Sequence, residues 1–411
     1  NSRAHVQLHS TFTPLRLTGR PMDSTRAPTE VYFRPSALAG ATSSFILMGA
    51  VASIYGPLLI AFSHRFHESV PAAGVVISVN FVGALVGVLL GWTGVKRVTG
   101  GVVLSSAAAT LGVGALGSAL AKPWTLFLVA VFVVGLGFGG LDFALNTLLT
   151  RTAEKGRALR LNATNAGYGV GAVLGPLLVI LLHPKHFPVL YAIIGGVGLV
   201  VATLNRGVHA PALAGEVNQQ RISMRKAERL PILITFVLAY VLYVSVETSS
   251  SGWMATQLHG VGYSESVGSF VTAGFWAAFA LGRGAGTPVY HWLSDKILVL
   301  GGLSASVVLC ALAYSSPLAP YAYPLLGLVL ALVFPMGLIW YTNLCPHDSD
   351  GLALMLLFMM VGGVIGPGLE SLMVSQFNVH VVPIVVAAFA LLDIAVFASA
   401  LRFKPLVASE T

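Results

Sequence analysis

Apolar residues in this chain come in long runs, separated by short polar clusters. Twelve runs of 18 or more mostly apolar residues can be laid out, each long enough to cross a hydrocarbon core of about 30 Å as a helix. They span residues 36–63, 71–92, 101–121, 124–150, 159–182, 187–204, 231–258, 265–290, 298–315, 321–345, 351–376 and 380–402. Gly and Pro recur inside them, as in Gly175-Pro176 and Gly366-Pro367. Membrane helices tolerate such residues because neighbouring groups re-satisfy the freed backbone. The expectation is an all-α polytopic membrane protein with twelve transmembrane helices.

Composition agrees with this. Of 411 residues 56% are hydrophobic and 9% charged, and the mean hydropathy is +0.83. That is too little charge to coat a soluble globule of this size. The basic residues are distributed unevenly. Twenty of the 23 Lys and Arg fall in the tails and the even-to-odd connections, against Arg65, Lys122 and Lys185 on the other side. The positive-inside rule then puts both termini in the cytoplasm, as expected for a protein of the plasma (inner) membrane. The net charge of +8 reports this topology, and its dispersal over loops argues against nucleic acid as a partner.

Residues 1–35 are polar and Pro-containing, with no apolar core of signal-peptide length, and read as a cytoplasmic tail in which Met22 is a candidate native start. Residues 405–411 form a second tail. Cys310 and Cys345 both fall within apolar runs and read as small buried hydrophobes, not as a disulfide.

The longest cytoplasmic connection, 205–230, separates two six-helix halves, 36–204 and 231–404. An internal repeat matches this division. Ser44-Phe45-Ile46-Leu47 aligns with Thr235-Phe236-Val237-Leu238, Leu90-Gly91 with Leu281-Gly282, and Gly171-x-x-x-Gly175-Pro176 with Gly362-x-x-x-Gly366-Pro367, all at one offset of 191 residues. The halves are parallel repeats about an axis along the membrane normal. Twelve helices, two such repeats, a long central loop and internal termini together resemble the major facilitator superfamily over residues 36–404. That resemblance implies two bundles rocking about a midplane site that faces each side in turn.

The superfamily's loop between helices two and three usually reads G-x-x-x-D-x-x-G-R/K-R/K. Here Gly91 to Gly100 keeps the glycine and the basic pair Lys96-Arg97 but has Val95 where the Asp belongs. In the second half Arg283, Asp295 and Lys296 occupy the same region with altered spacing. These residues are the gating candidates, though Lys96 and Arg97 serve equally well as topology signals. The Gly-x-x-x-Gly-Pro motif lets helices approach closely whatever the substrate. A fuller version in helix five, with a trailing Gly-Gly, is associated with exporters of the superfamily, and Leu177 to Ile180 supply no Gly.

Specificity must come from polar groups within the bilayer, where an ionisable side chain costs at least ~2.5 to 3.5 kcal/mol and so faces a cavity or a partner. Those groups are Asp142, Glu247, Glu370 and Asp393, with Arg283 near a helix end. Asp142 and Asn146, four apart on helix four, are about 40° apart around the axis and share a face. A carboxyl group in low dielectric takes up a proton more readily than one in water, as a proton-coupled carrier requires. The competing reading is an acid locked to a neighbouring helix through Asn162, Asn165 or an Arg.

Glu247 opens the run Glu-Thr-Ser-Ser-Ser-Gly, with Ser251 one turn on and Met254 two, while Trp253 and Gln257 form a second pair four residues apart. The run is poor membrane-helix material, and helix seven is commonly discontinuous in this fold. A carboxylate, hydroxyls, an amide and an indole suit a sugar, the aromatic face covering the ring's C–H face. The alternative is a Ser-rich kink with Trp253 as an interfacial anchor.

The motifs here resemble one branch in particular. Asp142-x-Ala144-x-Asn146 is similar to the Glu-x-Ala-x-Asn of helix four in fucose/glucose/galactose proton symporters. Val246-Glu247 followed by Gly252-Trp253 is similar to a helix-seven pattern of relatives, and Phe275-Trp276 with Leu281-Gly282-Arg283 to that branch's helix eight. The fucose carriers have a further carboxylate in helix one, absent from 36–63, where the repeat sets Gly56 opposite Glu247. The resemblance makes Asp142 the proton acceptor and Asn146 a polar neighbour, while Glu247 either shares the proton work or holds the cargo. By position, Asn80, Asn162, Trp276, Trp340 and Asn343 are candidate substrate contacts; Trp340 and Asn343 serve equally as packing and a helix-end cap. Glu370 is expected to pair with helix two, and Asp393 to be structural.

The eleven His show no Zn-like spacing, and no phosphate-cradling Gly loop precedes a Lys-Ser/Thr. No enzyme, metal or cofactor is expected, and an ion gradient is the energy source. The expected partners are a small-molecule substrate, protons (or sodium, since carboxylates and hydroxyls serve both) and the bilayer, with the chain a monomer. Three classes remain open: a proton-coupled carrier of a sugar or polyol, an exporter of amphipathic compounds, and a receptor or scaffold without transport.

Overall fold

The computed structural model describes residues 31–33, 35–149, 157–212, 226–289, 292–346 and 348–406, without the side chains of 157–165, 226, 227, 285–289, 32 and 349. The first half holds α1 (Pro35–Phe66), α2 (Val70–Arg97), α3 (Gly100–Leu120), α4 (Trp124–Leu149), α5 (Arg157–Leu182) and α6 (Phe187–Asn205). The second holds α7 (Lys226–Gly260), α8 (Glu265–Val289), α9 (Asp295–Ala313), α10 (Ala319–Leu330), α11 (Val333–Leu344), α12 (Ser349–Phe377) and α13 (Val382–Ser399). Ten spans among the described residues are long and apolar enough to cross a membrane, with α10 and α11 together forming one of them. The fold is an all-α polytopic membrane protein.

The described ends, Val31 and Leu406, lie on one side of the helices; the other side is called distal below. Ser69 caps α2 by accepting from Ala72 N at 3.2 Å. Asp348 caps α12 from Gly351 N at 2.9 Å and also takes the Arg229 fork, at 2.6 and 2.7 Å. Such oxygens satisfy N–H groups that a helix start leaves open. A two-residue antiparallel ribbon, Tyr32–Phe33 with Val208–His209, ties the first helix to the segment after α6.

Two expectations are corrected. The tenth span, expected to be continuous over 321–345, breaks between Leu330 and Val333. Pro335 has no N–H to offer Ala331, which removes the helical bond there. Helix seven, expected to be discontinuous, is unbroken from Lys226 to Gly260. Its hydroxyls bond to carbonyls four residues back: Thr248 to Val244 and Ser250 to Val246 at 2.6 Å, Ser245 to Val241 at 2.8 Å and Ser251 to Glu247 at 2.9 Å. These four hydroxyls are satisfied within the helix, which need not open to serve them.

The repeated Gly-x-x-x-Gly-Pro motif is a packing device in both halves. A Cβ at Gly171 would sit 1.9 Å from Ile46 O of α1, and one at Gly362 2.2 Å from Val241 O of α7. Gly175 and Gly366 likewise meet α1 and α7. The pairs α1·α5 and α7·α12 thus touch backbone to backbone, as small residues permit. Buried apolar side chains form two clusters, one drawn almost entirely from the first half and one from the second. Both Cys are free and buried.

The halves meet where α1 crosses α7, α2 runs along α12, and α5 meets α8. Ser78 Oγ donates to Val364 O at 2.8 Å, Ser371 Oγ donates to Pro71 O, and Phe81 lies against Gly363. Gly56 meets the Ser251 and Gly252 backbone, and the Trp253 ring fills the space over Gly74. These contacts run from the middle of the helices to the distal end. α4 packs on α2 and α3 of its own half.

Gly171→Leu and Gly362→Leu are expected to force these pairs apart, lowering stability by about 3 kcal/mol or more. Gly196→Leu, where nothing lies within 4 Å of an added Cβ, should leave it unchanged. Thermal unfolding in detergent, followed by loss of the monodisperse species, checks both.

Candidate functional site

A small cavity of about 30 Å³ lies between the halves at mid-depth, room for roughly one water. Tyr55 and Ala52 of α1, Ile77 and Phe81 of α2 and Tyr168 of α5 line it from the first half. Glu247, Thr248, Ser251 and Gly252 of α7 and Trp276 of α8 line it from the second. The continuous α7 is what aims Glu247 here: Glu247 and Ser251 share a face one turn apart.

Glu247 is half-buried and accepts a hydrogen bond from Tyr243 Oη at 2.6 Å, one turn earlier on α7. The Arg283 guanidinium, stacked over the Phe279 ring at 4.5 Å, is close enough to act electrostatically on Glu247. Trp276 closes one wall, edge-on to Tyr168 with centroids 6.2 Å apart. Its indole N–H is buried and has no partner among the described residues. Such an enclosed, unpaired donor beside a cavity is a place for a ligand oxygen once the site opens.

Asp142 is half-buried on α4, seven residues from the helix end, so about 10 Å from the end on the chain-terminus side. Asn146 Nδ2 donates to both its carboxylate, at 3.1 Å, and its main-chain oxygen, at 2.9 Å. The two do share a face. Asp142 is not in the cavity wall but is linked to it through Tyr168, whose hydroxyl lies within Coulomb range of Asp142, Glu247 and Arg283 together. Asn80 of α2 accepts from Tyr55 Oη at 2.9 Å and so positions a wall residue.

Other candidates lie elsewhere. Trp253 is fully buried in the core of the first half against Gly74, sealing α7 to α2 rather than anchoring at an interface or facing the cavity. Gln257 is spent inside the second half, donating to Ala313 O at 3.0 Å and accepting from Tyr323 Oη. Trp340 stacks on Phe397, centroids 5.8 Å apart, and is core. Asn343 is exposed at a helix end and donates to Asp295 Oδ2 at 3.3 Å, so Asp295 is tied to its own half. Lys96 lies over the Trp92 ring at 4.0 Å, and Arg97 is exposed beside it. The Asn162 side chain lies outside the described residues. Glu370 faces α7, not α2, with Ser249 as its polar neighbour. Asp393 is fully buried, and neither of its oxygens is hydrogen-bonded within the described residues.

Tyr168, Tyr243 and Tyr55 are the residues that sequence reasoning missed. A tyrosine in an apolar run is indistinguishable from core by pattern. The repeat and the spacing of Tyr243 one turn before Glu247 was the available signal. With both native Cys buried, Ser251→Cys is expected to react with small water-soluble thiol reagents. Gln257→Cys should react no faster than the unsubstituted chain. Equal rates would place the cavity elsewhere.

The curated relatives are transporters. One is 24% identical over 379 residues, 88% of this chain and 97% of its own length: the uncharacterised transporter y4wD of Sinorhizobium fredii. A glucose/galactose transporter of Brucella abortus is 24% identical over 310 residues, 67% of this chain and 74% of its own. Among solved structures, a bacterial homologue of the lysosomal transporter Spinster, inward-facing and occupied, superposes with a TM-score of 0.72 at 14% identity, covering 90% of this chain and 97% of that one. The transporter FucP in its outward conformation gives 0.61 at 20% identity, covering 88% and 98%. The family described as Major Facilitator Superfamily matches residues 41–354, well over half of the chain, and the protein belongs to that superfamily of transporters.

Proposed function

We propose that the protein is a proton-coupled secondary carrier of a sugar or related polyol, working by alternating access. The observation that carries this reading is the mid-depth wall of Glu247, Ser251, Tyr168 and the unpartnered Trp276 N–H between the two halves. Hydroxyl, carboxyl and indole groups on one small surface match a polyhydroxylated solute: polar groups bond its hydroxyls and the indole covers its C–H face. In this reading Asp142, held by Asn146, loads and releases the proton, and Tyr168 couples it electrostatically to Glu247 and Arg283 across the cavity. The similarity to a glucose/galactose transporter supports the substrate class.

The contacts between the halves concentrate toward the distal end. We therefore read the conformation as open toward the chain termini, with both termini in the cytoplasm as their basic residues favour. The two helix bundles then act as the moving bodies, 36–204 against 231–404. The Gly-x-x-x-Gly-Pro motif, used for packing, argues for neither import nor export.

Proteoliposomes under an imposed pH gradient test the proposal, with D-glucose, D-galactose and L-fucose as probes and a sodium gradient as a parallel arm. Uptake driven by protons is expected, and Asp142→Asn should lose accumulation while still exchanging labelled for unlabelled sugar. Intact gradient-driven accumulation in Asp142→Asn refutes its proton role. Trp276→Phe keeps the wall but removes the donor and should weaken sugar binding about fivefold, roughly 1 kcal/mol, by calorimetry.

A further inference from the structure

Behind the cavity, on the opposite side of α7, lies a second acid that the carrier reading leaves unused. Glu370 of α12 is 0% exposed, and neither carboxyl oxygen has a hydrogen-bond partner among the described residues. In the polar run of α7, Ser245, Thr248, Ser250 and Ser251 all bond to carbonyls one turn back. Ser249 is the exception: its buried hydroxyl makes no such bond and is the polar neighbour of Glu370. Gly366, one turn before Glu370 on α12, brings the helices into contact at this point, since a Cβ there would lie 2.9 Å from Ser249 Oγ. Two residues along a helix turn its face by about 200°, so α7 presents Glu247 to the cavity and Ser249 to Glu370.

The other groups that act on Glu370 are the Cys310 thiol of α9 and the Tyr323 hydroxyl of α10, which is itself held by Gln257. The charged residues of α2, the helix packed on the far side of α12, are Lys96 and Arg97 at its other end. Among the described residues no cation faces the carboxyl. An ionised carboxylate with no counter-charge and only the Ser249 hydroxyl beside it is disfavoured in such a site, which suits the neutral acid better. With so few oxygen donors, a metal cation is a poor alternative occupant.

We propose that Glu370 is a second proton site of the carrier, loaded while the halves are closed on the distal side and emptied into distal water when they part. The O–H proton then passes to water, leaving the carboxylate hydrated in the opened seam. The placement favours this over a purely structural acid. α12 and α7 are both seam helices, and Ser371, the next residue, is bonded across the seam to Pro71. Glu370 is two turns on from Gly363, which meets Phe81 of α2, so its site borders the seam as well as α7; parting α12 from α2 breaks the Ser371 bond and opens that border to water. Asp393 is as deeply buried but lies on α13, which packs on α7 and α9 within its own half. The proposal rests on alternating access but not on the identity of the substrate or on the role of Asp142.

Spin labels at Lys122→Cys and Gln376→Cys, on the distal ends of the two halves, report opening in lipid nanodiscs without substrate. Wild type is expected to move from a short distance in mildly acid buffer to a longer one in mildly alkaline buffer. Glu370→Gln, which keeps shape but cannot lose the proton, should stay short and show a pH response reduced severalfold. Ser249→Ala should move the midpoint without abolishing the change, which keeps the test decisive if Glu370→Gln does not fold. Asp393→Asn should behave as wild type. A wild type that does not respond to pH, a Glu370→Gln response equal to it, or an Asp393→Asn effect matching that of Glu370→Gln would each overturn the proposal. A failure of sugar uptake alone would count only against the carrier reading above.

Discussion

The structure depends on keeping α7 whole while it carries six consecutive polar or small residues through the bilayer. Hydrocarbon offers no hydrogen bonds, so each hydroxyl must find a partner within the protein. Four of the α7 hydroxyls use the carbonyl one turn back. Internal bonding of this kind leaves the helix continuous from Lys226 to Gly260. Glu247 then faces one way and Ser249 the other, each at a fixed height, and a helix broken at this point would scatter both. Every polar feature of the second half is placed relative to this one helix.

Rigid helices still need close approach to form bundles, and the repeated glycines supply it. Gly171 against Ile46 and Gly362 against Val241 are equivalent contacts in the two halves. The same logic explains why the first helix has no acid opposite Glu247. At Gly56 a Cβ would lie 2.5 Å from Ser251 O, so in this conformation the position admits no side chain at all. The symmetry of the halves is therefore broken where they cross. At this crossing one half contributes backbone and the other contributes the carboxyl.

The spans, the repeat and the packing role of Gly-x-x-x-Gly-Pro were legible in the sequence because each is a periodic or spaced pattern with one physical meaning. The site was legible only in part. Asp142, Asn146 and Glu247 stand out because a carboxyl or amide in an apolar run demands an explanation. Trp253 and Gln257, on the same helix as Glu247, turn inward instead, because helical spacing gives relative angles but not which face meets a neighbour. Tyr168 carries no sequence signal, yet it lines the cavity and lies within electrostatic reach of Asp142, Glu247 and Arg283. The break at 331–332 was readable from Pro335, whereas the continuity of α7 required knowing that its hydroxyls would bond backward and not into a cavity.

Closing a midplane site against one side of a membrane takes more than hydrophobic contact, because the seam must also reopen. Here it is built from the Trp253 ring over Gly74, glycine against backbone at Gly56, and hydroxyl-to-carbonyl bonds at Ser78 and Ser371. The ion pair of Arg229 with Asp348, by contrast, lies within one half. Neutral hydrogen bonds of this sort contribute only about 1 kcal/mol each, so the seam is cheap to part and ionic strength has little hold on it. In the proposed proton-coupled carrier, acids buried near the seam tip the balance by whether they hold a proton, and opening needs no charge pairing across the seam.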